Sequence, residues 1–353
     1  MSYGEKGEGR TRGYLYRSTP GAVNATNLGD GPPAEDVVFS REGGLITGPL
    51  TLSIAAPVTA GAVVRYTTNN TEPVATSPIY SAPFDITVST TVRARVFAPD
   101  RLPGPVSSRT FLKVDASLLN YNGSGQPFSS NLPIVVLDSF GVPVDNFVSA
   151  GNRAYRFTYG VVISPDPVTG RATITDPPSF QGRSGTHVRG ESSASFGQKQ
   201  YAWELWNNED QDKSEALMGL PAESDWILYA PWSEKSLLRD VLVFGTMRKL
   251  RNDYMSARTQ FCEVFFNQGT SGSVGYGGSY RGVYVLKEKL KIDKERVNLA
   301  KLNSLTAQQP GITGGYIFRK DKVDADSTSW TTSAPYSIPL QSYDPDFLNS
   351  AQL

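Results

Sequence analysis

Thr90-Thr91-Val92-Arg93-Ala94-Arg95-Val96 sets apolar residues against arginine and threonine at every second position. Period two puts Val92, Ala94 and Val96 on one face of a strand and Arg93 and Arg95 on the other. The same alternation recurs outward from this stretch: Leu50, Leu52 and Ile54 with Thr51 and Ser53, Val64 and Tyr66 about Arg65, Phe84 and Ile86 about Asp85. Turn formers separate the runs at Gly43-Gly44, Asn69-Asn70, Ser81-Ala82-Pro83 and the proline-containing 99–105. About six or seven short strands at this spacing predict an antiparallel, immunoglobulin-like all-β sandwich over 36–114. Residues 1–35 are polar and glycine-rich and read as a tail and linker, and 115–130 as a second linker.

Residues 131–353 mix periods. Ile134-Val135-Val136-Leu137 reads as a buried strand, and 155–163 and 172–174 add strand material. Ser233 is placed to cap a helix from about Glu234 to Arg251, with Leu237, Leu238, Val241, Leu242, Met247 and Leu250 on one broad face. Phe261 to Phe266 and Arg281 to Glu288 read as strands joined as a hairpin by the glycine-rich 269–278. Gly315 to Arg319 is one more strand. Asp344-Pro345-Asp346-Phe347-Leu348 has the cap and proline of a helix start. The expectation is an α+β domain over 131–353, C-terminally truncated because the chain stops soon after that start.

Composition narrows the chemistry. The 353 residues carry 34 Lys+Arg and 34 Asp+Glu, so nothing advertises a nucleic-acid partner. One cysteine and one histidine exclude an internal disulfide and a His- or Cys-rich zinc site, leaving carboxylates and carbonyls for any metal. Cys262, between Phe261 and Glu263, reads as packing, and His187 as a hydrogen-bonded structural imidazole. No apolar run has the length of a membrane span, and the N-terminus is unlike a signal peptide, so any export signal is expected upstream.

Arg189-Gly190-Glu191-Ser192-Ser193, followed by Lys199 entering a strand, is the most suggestive stretch. By spacing alone it reads as a surface turn with a solvated lysine, since it is neither a P-loop nor Gly-x-Gly-x-x-Gly. It resembles, however, the early motif of the CotH (spore coat protein H) kinase-like family. Gly219 to Leu228, Lys235 to Asp240, Tyr280 to Lys289, Arg296-Val297 and Gly314 to Ile317 resemble that family's later blocks, in order. Departures are Glu234, where Asp often stands, and Asp240, where Asn is common. The resemblance implies an atypical kinase, a transferase that uses ATP and Mg2+ or Mn2+ to phosphorylate protein serines. It makes Lys199 the phosphate-contacting lysine, gives Arg189 and Ser192 the shaping of the same turn, and puts Glu288 near the nucleotide or against a basic residue. The family's metal-positioning Asn-x-Asp and Trp-Asp-x-Asp regions are expected beyond Leu353, so this stretch alone is expected to be inactive.

The segments 39–73, 78–80 and 90–95 resemble the chitobiase/hexosaminidase C-terminal-type sandwich of bacterial extracellular proteins. Asn69-Asn70-Thr71 replaces the usual Asp-Gly-Ser and keeps a turn that accepts positive φ. Ser18 to Asn24 resembles the tail after a lamin-tail-type domain. Together these imply a secreted or cell-surface protein acting on serine-rich protein. Two alternatives remain: a surface protein whose sandwich binds carbohydrate or protein beside a non-catalytic scaffold, and a sandwich that is only a spacer.

Overall fold

The computed structural model describes residues 2–5, 12–15, 32–145, 153–250, 256–303, 305–320 and 327–353; Ser18 to Asn24 and Arg251 lie outside them. Within the stretch read as a tail, Ser2–Glu5 and Arg12–Leu15 pair antiparallel.

Six strands build the first domain: β1 (Gly44–Ile46), β2 (Leu50–Leu52), β3 (Val63–Thr67), β4 (Phe84–Ile86), β5 (Thr90–Phe97) and β6 (Ser107–Lys113). One sheet runs β1-β6-β5-β3 and the other is β2-β4, a sandwich-like pair. The β1–β6 pairing is parallel, unlike the antiparallel expectation. Val92, Ala94 and Val96 fill the core with Leu52, Val64, Ile86 and Phe111. Arg93 and Arg95, which alternation puts on the wet face, are each only 5% exposed. Their burial is met by acceptors: Arg93 donates to the carbonyls of Asn70 and Asn208, and Arg95 to Glu72 Oε1.

The second domain is mostly β. Strands β7 (Ile134–Asp138), β8 (Arg156–Ile163), β9 (Phe180–Arg189), β10 (Gln200–Leu205), β11 (Asp225–Tyr229), β12 (Thr259–Asn267) and β13 (Tyr280–Glu288) close into a barrel. The order is β7-β8-β9-β10-β11-β13-β12, sealed by a parallel β12–β7 pairing from Ile134↔Glu263 to Asp138↔Asn267. Closure leaves no open edge. Alternate side chains fill the lumen: Tyr201, Trp203 and Leu205 from β10, Trp226 and Leu228 from β11, Cys262, Val264 and Phe266 from β12, Tyr284 and Leu286 from β13. Trp203 is so close to β8 that a Cβ on Gly160 would stand 2.5 Å from its ring, which is why glycine occupies that strand position. Cys262 is packing, fully buried, and burial pushes its thiol up to about 12.

Three expectations are revised. The helix α2 is Arg239–Leu250, not 234–251. Leu237 takes φ 60°, and the Glu234 carboxylate accepts from the N–H of Ser236 at 2.7 Å and of Arg239 at 3.3 Å, so the chain turns before the helix begins. None of the helix is fully buried, and its half-buried side is Asp240, Val241, Phe244, Met247 and Arg248, whereas Leu242 and Leu250 are exposed. Asp344-Pro345 starts no helix. Asp344 ends strand β16 (Pro339–Asp344), which pairs with β14 (Ile317–Arg319) and β15 (Ser329–Thr331), and its carboxylate accepts from the N–H of Ile292 at 3.0 Å. With that helix gone and α2 shortened, the described residues of the second half form a barrel with a flanking sheet and α2 beside it, mostly β where an α+β domain was expected.

The stretch read as a second linker is packed. Helix α1 (Ala116–Leu119) is capped by Asp115, whose side chain accepts from the N–H of Ser117 at 2.9 Å. Leu118 and Phe128 join Leu112 and Val114 from the end of β6 in one cluster with Val136, Phe265 and Val274 of the barrel side. The last strand of the sandwich thus runs directly into the outer wall of the barrel. Among the described residues no helix is long and apolar enough to cross a membrane.

Candidate functional site

Three recesses collect polar side chains. The first is a cleft of about 310 Å3 on the outside of the barrel, under α2 and against the β14–β16 sheet. Period two sets its contents. Tyr284 and Leu286 of β13 point into the lumen, so Lys287 points outward. There its Nζ donates to Asp240 Oδ2 of α2 at 2.7 Å and lies 4.3 Å from the Tyr229 ring centre. Burial pulls this ammonium below the ordinary lysine range, while Asp240 pulls it back up. Arg189, at the end of β9, lines the same cleft half-buried, its side chain without a hydrogen bond or ion pair to another described residue. Ile227, Phe244, Leu290, Ile317 and Phe318 supply apolar walls.

Glu288 also borders this cleft, but its carboxylate is committed elsewhere. It accepts from Arg258 Nη1 at 2.7 Å and from Arg296 Nη1 at 3.0 Å, so of the two roles foreseen for it the basic partner is the one occupied.

Lys199 and Ser192 are not brought into the cleft. Ser192 is exposed on the turn between β9 and β10, its carbonyl accepting from the Ser195 hydroxyl at 2.7 Å. Lys199 has the parity of Tyr201, Trp203 and Leu205 and faces the barrel mouth, in a second recess of about 370 Å3. The structure therefore joins Arg189 with Glu288 and separates both from Lys199. Lys287 and Asp240 were missed as a pair. The available clue was parity: Lys287 has the opposite parity to lumen-facing Tyr284 and Leu286, and Asp240 follows directly on the helix start.

The third recess, about 420 Å3, lies between the domains. Glu42, Ser108 and Arg109 face Tyr159, Gln181 and Trp206 across it. His187, on the outer face of β9, packs edge-on against Tyr155 at 4.6 Å, and burial holds its imidazole below the usual range. Among the described residues no group of three or more His, Cys, Asp or Glu gathers where it could hold a metal ion.

Comparison with known proteins agrees with both resemblances. Residues 186–349 match the family model described as CotH kinase protein, which spans every cleft residue named above. Residues 41–108 match the chitobiase/beta-hexosaminidase C-terminal domain. No curated protein matches the chain.

Proposed function

We propose, from the CotH kinase match over 186–349 and the cleft it contains, that the chain holds the nucleotide-binding part of a protein kinase that phosphorylates serine with ATP. The observation that carries this is the Lys287–Asp240 pair beside Arg189, whose side chain has no partner among the described residues: two cations facing a cavity with apolar walls. A triphosphate is met by cations held in place, and a base by apolar side chains, because phosphoryl transfer relies on positioning and charge stabilisation. Asp240 fixes Lys287 without neutralising Arg189. The cleft's two cations support the reading as partners for nucleotide phosphates; Mg2+ or Mn2+ belongs to the same proposal with no ligands named for it among the described residues. Serine-rich protein as acceptor and a cell-surface or secreted setting belong to the same proposal.

Calorimetric titration with ATP tests it. Lys287→Ala removes a charge-assisted hydrogen bond of about 1.5–3 kcal/mol, so binding is expected to weaken about ten- to a hundredfold. ATP binding that survives unchanged in K287A, with the circular dichroism of the parent chain, would remove this cleft from the nucleotide.

The crevice between the domains favours a second reading for the sandwich. Its polar rim and the half-buried Trp206 suit a neutral sugar, whose ring stacks on aromatic faces and whose hydroxyls need mixed donors and acceptors. On a glycan array the whole chain is then expected to retain neutral oligosaccharides and Trp206→Ala to lose them. Equal retention by both chains, or none by the parent, removes the sugar reading.

A further inference from the structure

We propose that the outward face of α2 docks on an anionic lipid bilayer. Arg239, Leu242, Val243, Thr246, Lys249 and Leu250 fall at i, i+3, i+4, i+7, i+10 and i+11, so they share one side of the helix, and all six are exposed. The opposite side is the half-buried one that holds Asp240 against Lys287 of the barrel. A helix with one side already on its barrel has no use for apolar residues on the other. Yet Leu242, Val243 and Leu250 are 60%, 59% and 70% exposed. Leu238, whose carbonyl accepts from the N–H of Leu242 at 2.8 Å, adds an exposed leucine one turn earlier.

Charge selects the occupant. The acids of 231–250 are Glu234 and Asp240, and both are turned away from this face. Asp240 is bonded to Lys287. Glu234 is buried, accepts from the N–H groups of Ser236 and Arg239, and stands 3.7 Å from Arg239 Nε. Of the cations, Arg248 donates to the Ser256 carbonyl at 3.1 Å, whereas Lys235, Arg239 and Lys249 are exposed. The exposed charges of the segment are therefore all positive. At a lipid surface the leucines and valine enter the acyl boundary, and long Arg and Lys stems carry their charges back to anionic headgroups. A protein partner fits less well. The 12 residues of α2 offer a strip about 18 Å long and roughly 10 Å wide, far below the roughly 800 Å2 per partner of a stable interface. A bilayer needs no matching shape. The face lies on the side of α2 away from the cleft, so the proposal does not rest on the nucleotide reading.

Co-sedimentation of the whole chain with vesicles tests it, using phosphatidylglycerol and phosphatidylcholine in equal parts against phosphatidylcholine alone. Binding to the anionic vesicles is expected to exceed binding to the neutral ones and to fall as salt is raised. Lys249→Gln is expected to weaken it about fivefold, the effect of one cation near a charged surface. Leu242→Asp is expected to weaken it about tenfold or more. Val58→Asp, at a site of the sandwich that is 92% exposed, is expected to leave it unchanged. Thr246→Leu fills the polar gap in the face and is expected to strengthen binding, so it decides if Leu242→Asp misfolds. No binding to anionic vesicles, equal binding to both kinds, or binding indifferent to Leu242→Asp and Thr246→Leu overturns the proposal. A dimer that Leu242→Asp dissolves, without vesicle binding by the parent chain, overturns it in favour of a second copy on this face.

Discussion

Glu288→Ala is expected to cost about 3–5 kcal/mol of stability, the usual penalty for stripping the partner from a buried charge. Glu288 is 3% exposed, and the Arg296 side chain it meets at 3.0 Å is 1% exposed. Its second oxygen accepts from the N–H of Arg258 at 2.9 Å, tying the start of β12 to the end of β13. Without it, the nearest acid to Arg296 is Glu223, at 4.0 Å and already bonded to Lys291 at 2.7 Å. A guanidinium over the face of Trp226 would then be left in the interior without an anion of its own. Glu288→Gln keeps acceptor geometry but loses the charge, and is expected to fall between the parent and alanine. Urea unfolding followed by circular dichroism measures both. A loss under about 1 kcal/mol, combined with failed ATP binding, would return Glu288 to the nucleotide.

Strand faces in this molecule were legible wherever apolar residues alternate. Val92, Ala94 and Val96 fill the sandwich core as period two requires, and β12 and β13 pair as the glycine-rich hairpin implied. The placement of Lys199 was legible too: it has the parity of Tyr201, Trp203 and Leu205, and it lines the same recess as Tyr201. What the pattern could not supply was closure. The parallel β7–β12 contact joins residues about 130 positions apart, and no local periodicity encodes such a partner. The same holds for α2. Its leucines have helical spacing, but which side meets the barrel depends on Asp240 finding Lys287, a contact between elements rather than a property of either.

Polar docking was the least legible feature, because a residue that mates with another domain has the sequence appearance of a solvated turn. Asn70 illustrates it. Read as a harmless change in a turn, it does adopt φ 67°, but its carbonyl also receives Arg93, and its side-chain oxygen receives Arg183 Nη1 at 2.7 Å. Arg183 belongs to β9 of the barrel, so the altered turn is part of the joint between domains.

Asp210 holds the other half of that joint, and Asp210→Ala is expected to loosen the two domains from each other. Its carboxylate accepts from Arg183 Nε at 2.9 Å and stands 3.6 Å from Arg93 Nη1. The two arginine side chains are 3% and 6% exposed, whereas that of Asp210 is 37% exposed. Two like charges would then face one another across the interface with only amide and carbonyl acceptors. Burial and the neighbouring Arg93 already depress the pKa of Arg183, while Asp210 opposes that shift. Because water reaches Asp210, the loss is set below that of a fully buried pair, at about 2–3 kcal/mol. The apolar cluster of Leu118, Phe128 and Val274 persists in the variant, so the domains stay tethered while their polar contact opens. Calorimetric scanning should then split one melting transition into two, with the sandwich and barrel unfolding apart. A single unshifted transition in Asp210→Ala would mean that the ion pairs add nothing to docking. That outcome would favour a sandwich serving as a spacer, whereas a split transition makes it a structural partner that fixes the walls of the crevice containing Trp206.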